Sequence, residues 1–150
     1  MTAADAHADD AAPLRLSDIA ACFEGLLPAE IATASADGVP NVTHLSRVFM
    51  VDDERVALSN QFFSKTTRNL AENPYACVVV IDPTNYDSYR MMVVYERTER
   101  RGPVFEHLRR DVDAIAALTG MAGIFKLRSA DIYRVVELEQ VPAAVDLADA

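Results

Sequence analysis

Residues 59 to 74 read SNQFFSKTTRNLAENP and set Ser64, Lys65, Thr66, Thr67 and Arg68 in a row where a helix is expected to begin. The first N–H groups of a helix have no intrahelical partner, and the helix dipole adds positive charge there. Hydroxyls and an ammonium at that point are therefore suited to holding a phosphate. The plainer reading is that Ser64 caps the helix while Lys65 and Arg68 stay in solvent. In the strand before it, NVTHLSRVFM, the set Val42, His44, Ser46, Val48, Met50 alternates with Asn41, Thr43, Leu45, Arg47, Phe49. Neither set is uniformly apolar, as a plain core face would be. Polar groups on both sides of a strand suit a wall offering hydrogen bonds to a flat heterocycle, and an ordinary half-exposed barrel strand has the same pattern. His44 by itself reads as a satisfied, partly buried imidazole rather than a ligand or base.

Other chemistry is poorly represented. His7, His44 and His107 are dispersed, with no HExxH and no paired His and Cys spacing, so no metal site is expected. Cys22 and Cys77 stand alone and read as buried reduced thiols. No Ser/His/Asp set or close carboxylate pair stands out, and Glu96, Glu99 and Glu106 read as surface charges. The formal net charge is −9, with Asp5, Asp9, Asp10, Asp146 and Asp149 in Ala-rich ends. An acidic body argues against nucleic-acid binding, which relies on a broad basic surface, so any anion site must be local. No apolar run approaches the ~20 residues of a membrane span. The first twelve residues carry three Asp and no Lys or Arg, unlike a leader, and a cytoplasmic address is expected.

The elements that must position these residues follow from periodicity and breakers. The 150 residues fit one domain, expected at 14–142 between flexible acidic tails at 1–13 and 143–150. LRLSDIAACFEGLLP reads as a short helix capped by Ser17, with Leu16, Ile19, Ala20 and Phe23 on one face. AEIATAS, the ADG turn and VPNVTHLSRVFMV make a hairpin, with Gly38 supplying the positive backbone angle, and RVALSN is a third strand. A helix over Ser64–Asn73 stops at Pro74; YACVVVID then reads as a strand buried on both faces, and YRMMVVYERTER as a long strand. Gly102 and Pro103 introduce an amphipathic helix, VFEHLRRDVDAIAAL, and GIFKL and DIYRVVEL read as two closing strands. Strands joined by tight turns favour an antiparallel, mainly β (α+β) barrel of six to seven strands with flanking helices. The alternating βα pattern and GxGxxG of a dinucleotide-binding fold are missing.

The run ATASADGVPNVTHL, followed by LSNQFFSKTTRNLAENPYACVVVID, resembles the flavin-binding split barrel of the pyridoxamine 5′-phosphate oxidase-like superfamily across roughly residues 28 to 138. The resemblance implies flavin mononucleotide (FMN) at a homodimer interface, and similar barrels host haem or the deazaflavin F420 instead. Carried onto matching positions, it places Lys65 and Thr66 on the phosphate with Ser64 assisting. Thr43, His44, Leu45 and Ser46 would lie along the ring and ribityl chain, Ser59, Asn60 and Gln61 would border ring or phosphate, and Arg47 is a further phosphate candidate. The implied activity is that of an oxidoreductase, with a small-molecule substrate or acceptor and NAD(P)H as one electron source; a noncatalytic flavin-binding or sensing protein is the alternative. Thr66 stands where the oxidase tends to have a second basic residue, so the resemblance implies either weaker phosphate binding or recruitment of Arg47 or Arg68. The oxidase's carboxy-terminal segment rich in Trp, Arg and Pro has no counterpart here, since the chain has no Trp and ends in VPAAVDLADA. The resemblance therefore does not extend to pyridoxamine 5′-phosphate as substrate.

Overall fold

The computed structural model describes residues 12–24, 27–61 and 63–142. The expected tails, apart from Ala12 and Pro13, lie outside the described residues. Seven strands form one antiparallel sheet: β1 (Ala29–Ala34), β2 (Pro40–Leu45), β3 (Val48–Met50), β4 (Arg55–Asn60), β5 (Tyr75–Ile81), β6 (Ser88–Glu99) and β7 (Ser129–Gln140). Their spatial order is β2-β1-β5-β6-β7-β4-β3. The two edge strands, β2 and β3, are neighbours in sequence, separated only by Ser46 and Arg47. So short a link forces the sheet to roll until its edges meet, which makes it a split barrel. At the joint, the Ser59 N–H donates to the Arg47 carbonyl and the Arg47 N–H to Ser59 Oγ, each at 3.1 Å.

The expected hairpin of one long second strand is thus two strands with a corner between them. Its tight turn is as expected: Gly38 has φ +82 and its N–H donates to the Ser35 carbonyl at 2.9 Å. The first helix is 3₁₀ over Leu16–Phe23, and it buries Leu16, Ile19, Cys22 and Phe23, with Ala20 exposed. A repeat of three residues brings Cys22, rather than Ala20, onto the face that carries Leu16 and Ile19. Ser17 does not cap it; the Asp18 carboxylate reaches back instead to the Arg15 N–H at 2.8 Å.

The main core joins that helix to the concave face of the sheet, with Ile31, Leu58, Val78, Met91 and Tyr133 among its fully buried members. A second cluster lies on the other face, where α2 (Pro103–Leu118) sets Leu108 against Ala57, Ala130 and Ile132. Because α2 covers the outside of β4, it is β4 that is buried on both faces from Val56 to Asn60. Strand β5, expected to be so, alternates buried and half-buried positions behind an exposed Tyr75, since no helix among the described residues lies over its outer side. The expected strand GIFKL is a pair of turns: Ile124 and Phe125 both donate to the Met121 carbonyl, and Gly120 and Gly123 have positive φ. No helix among the described residues is long and apolar enough to cross a membrane, and no cluster of His, Cys, Asp or Glu among them could hold a metal ion.

Candidate functional site

The second helix, α1, runs Lys65–Glu72. Its first intrahelical bond is from the Arg68 N–H to the Ser64 carbonyl at 3.2 Å, which leaves the amides of Lys65, Thr66 and Thr67 at a free helix start. Ser64 makes no side-chain cap, and the first turn holds no acidic residue. Lys65 forms no ion pair among the described residues. Thr67 is turned away, donating to the Phe63 carbonyl at 2.5 Å. Thr66 is buried and accepts from Asn41 Nδ2 at 3.3 Å, and Asn69 Nδ2 donates to Thr33 Oγ1 at 3.0 Å. These two bonds pin α1 to the β1–β2 hairpin. In front of the helix start lies a small cavity of about 160 Å³, lined by Ser64, Lys65, Thr66, Phe63 and the Asn41–Thr43 stretch of β2.

A larger cavity of about 430 Å³ adjoins it, sharing Thr43 and Phe63. That volume lies within the ~300–1,000 Å³ usual for small-ligand sites. Pro28, Leu45 and Phe63 form apolar walls, with Ile115 and Phe125 opposite, while Thr43, His44, Ser46, Ser59, Gln61 and Thr119 supply polar groups. Gln61 is only 5% exposed; its Nε2 lies 2.9 Å from Ser46 Oγ, and its Oε1 has no hydrogen-bond partner among the described residues. His44 is not the partly buried imidazole expected: its side chain is 74% exposed at the cavity rim, with Nδ1 3.4 Å from Glu30 Oε1. It stands on an edge strand whose outward side no strand among the described residues covers.

Nine of the eleven residues read as site candidates thus meet in two contiguous cavities: Thr43, His44, Leu45, Ser46, Ser59, Gln61, Ser64, Lys65 and Thr66. Arg47 and Asn60 line neither. Arg47 Nε is 3.0 Å from Asp111 Oδ2, and that carboxylate also receives His107 Nε2 at 3.4 Å, so the guanidinium ties the barrel joint to α2. Asn60 points to the other side of β4. Its Nδ2 donates to the buried Asp131 at 3.0 Å, and its Oδ1 accepts from the Phe63 N–H at 3.4 Å. Thr98 and Ser129 hydroxyls donate to the second oxygen of Asp131 at 3.0 and 2.9 Å, completing a buried network under the loop that leads to α1. Sequence reading missed Pro28, Ile115, Thr119 and Phe125, because their approach depends on how α2 and the turns after it fold back onto the barrel.

A family model described as pyridoxamine 5′-phosphate oxidase matches residues 17–138, and with them both cavities. The chain belongs to that family. Solved structures of similar fold accompany it. An FMN-binding protein from Syntrophomonas wolfei superposes with a TM-score of 0.70 at 16% identity, over 85% of each chain. The haem storage protein HutZ from Vibrio cholerae gives 0.54 at 18% identity, over 83% of this chain and 93% of that one. An F420 reductase gives 0.54 at 19%, over 79% and 93%. At these identities the likeness is one of fold. An uncharacterized protein of Methanocaldococcus jannaschii is 46% identical over 46 residues, a match that spans 29% of this chain and 31% of that relative. The pyridoxamine 5′-phosphate oxidase-like split barrel expected from the sequence is therefore the fold observed, with seven strands.

Proposed function

We propose that this member of the pyridoxamine 5′-phosphate oxidase family binds FMN and acts as a flavin-dependent oxidoreductase on a small molecule. The observation that carries the reading is the junction of two unlike cavities. One is small and cationic at an uncapped helix start; the other is larger and mostly apolar with a few convergent polar groups. A phosphate monoester joined by a short polyol to a flat ring has that division of chemistry. Lys65, the free amides beside it and the Ser64 hydroxyl would hold the phosphate. Thr66 would lend what capacity its bond from Asn41 leaves. The walls of the larger cavity would orient the ring and exclude water from one side. Bound flavin supplies hydride chemistry, which explains why the cavity can lack an acid–base pair of its own. NAD(P)H is the proposed electron source and the cytoplasm the proposed address.

A homodimer is part of the proposal. On the outer face of the sheet Val42, Ala32, Cys77 and Met92 stand directly in register across β2, β1, β5 and β6, and Val42 is 61% exposed. Val42 also borders the small cavity, so a second copy on this face would close the phosphate site.

The test is the absorption spectrum and mass of the small molecule that copurifies with the full chain. Flavin bands and the mass of FMN are expected; a Soret band or a deazaflavin spectrum would replace this reading with another. Haem is the second reading, supported by His44, an imidazole on the cavity rim, and by the fold shared with HutZ. Rapid turnover after reduction by NAD(P)H separates an enzyme from a noncatalytic flavin-binding protein.

A further inference from the structure

Among the described residues Asp131 is the buried carboxylate, and it lines neither cavity. Burying a carboxylate is costly unless its oxygens are engaged, and here both are. Oδ1 receives the Thr98 and Ser129 hydroxyls at 3.0 and 2.9 Å, and Oδ2 receives the Asn60 amide at 3.0 Å. Only the last of these leads toward the site. Asn60 Oδ1 accepts from the Phe63 N–H at 3.4 Å, while the Phe63 carbonyl accepts from the Thr67 hydroxyl at 2.5 Å. Phe63, a wall of both cavities, is therefore held on both sides of its backbone. Chemistry fixes the direction of the Asn60 amide. A backbone N–H only donates, so Oδ1 must face Phe63, and Nδ2 is left facing the carboxylate.

We infer that Asp131 is a positioning residue for the cofactor site, acting through Asn60 to fix the Phe63 backbone where the two cavities join. This deepens the flavin reading and rests on it. Phe63 precedes Ser64 and the free amides of Lys65 and Thr66, so the placement of its peptide sets where the helix start meets the small cavity. Its side chain, in a residue only 7% exposed, is also a wall of the larger cavity. A ligand that reaches into both cavities at once must match the distance between them, and a shift at Phe63 changes that distance. Thr98 and Ser129 provide the contrast. Their hydroxyls hold the same carboxylate, yet their side-chain partners line neither cavity.

The test measures FMN affinity by fluorescence titration, and stability by urea unfolding, for the full chain and three variants. Asn60→Leu removes the link between Asp131 and Phe63 at nearly constant volume. Asp131→Asn replaces the acceptor that orients the Asn60 amide, and Ser129→Ala cuts one bond on the far side of the same carboxylate. The first two are expected to bind FMN about tenfold more weakly, the scale of one lost hydrogen bond, and Ser129→Ala to lose stability with its FMN affinity within about twofold of native. FMN losses that follow the stability losses in all three variants, or that appear in none, would overturn the inference while leaving flavin binding intact. Hydrogen exchange at the Phe63 amide, followed by NMR, adds a reading on the native chain alone. It is expected to be slow there and about tenfold faster in whichever of Asn60→Leu and Asp131→Asn folds. Fast exchange at Phe63 in the native, ligand-free chain would overturn the inference even if no variant folds. A native chain that binds no FMN would remove both this inference and the flavin reading.

Discussion

At the scale of single residues, the division between Lys65 and its neighbours decides how the phosphate reading is tested. Lys65 is the cation of the small cavity, and no carboxylate among the described residues neutralises it. Lys65→Ala is expected to weaken FMN by about 2 kcal/mol, the scale of a charge-assisted hydrogen bond. Riboflavin, which lacks the phosphate, should be almost unaffected, and equal losses for both in calorimetric titration would remove Lys65 from that role. Asp131 presents a different case, because it lines neither of the two cavities and accepts from Asn60, Thr98 and Ser129 while 4% exposed. Asp131→Ala is expected to cost about 3 kcal/mol in urea unfolding by stranding those donors. Asp131→Asn, which keeps one acceptor oxygen, should cost less. Cys22 lends the chain an alkaline limit: burial pushes its thiol up from the ordinary 9.0 to about 11. The stability conferred by keeping that proton is complete below pH 9 and is lost as pH rises through the interval to about 11. Thermal melts across that interval should fall more steeply for the native chain than for Cys22→Ala.

Among the elements, α2 is the one whose docking couples the barrel joint to the cavity. Its Asp111 holds Arg47, its His107 ring lies 4.3 Å from that of Phe49, and its Ile115 reaches the cavity wall. A double-mutant cycle of Arg47→Ala and Asp111→Ala is expected to give about 1 kcal/mol of coupling, shrinking with added salt, since the pair is half-buried. Additive losses would mean that α2 is held by its apolar face alone. Most elements could be read from the sequence, because the apolar period of α2, the Gly38 turn and Pro74 act locally. What was illegible depends on partners distant in the chain. Strand β5 was expected to be buried on both sides from its composition alone, yet burial is set by where α2 lies, and that covers β4. The break after Leu45 could not be seen because Ser46 and Arg47 are ordinary strand residues in sequence; only the closing of the roll bends the chain there. At the site, Thr43 and Lys65 were visible as polar groups in unusual places, and Gln61 only through the family resemblance. Pro28 and Phe125 were not, since an apolar cavity wall and an apolar core have the same composition.

For the whole molecule, the row Val42–Ala32–Cys77–Met92 is the feature that a monomer leaves unexplained. Light scattering on the FMN-loaded chain should give twice the 16.4 kDa of one copy, and Val42→Glu should halve it while loosening FMN. A flavin-loaded monomer would instead place the entire site within one chain. The position of β7 in the sheet has a further result for the growing chain. It pairs with β4 on one side and β6 on the other, and it brings Asp131 beneath Asn60. Until this last strand has left the ribosome, β4 has only the three residues of β3 beside it, and the bed under Phe63 and Gln61 has not been laid. The bed beneath the candidate site is therefore completed by a contact that spans 71 residues of chain, from Asn60 to Asp131.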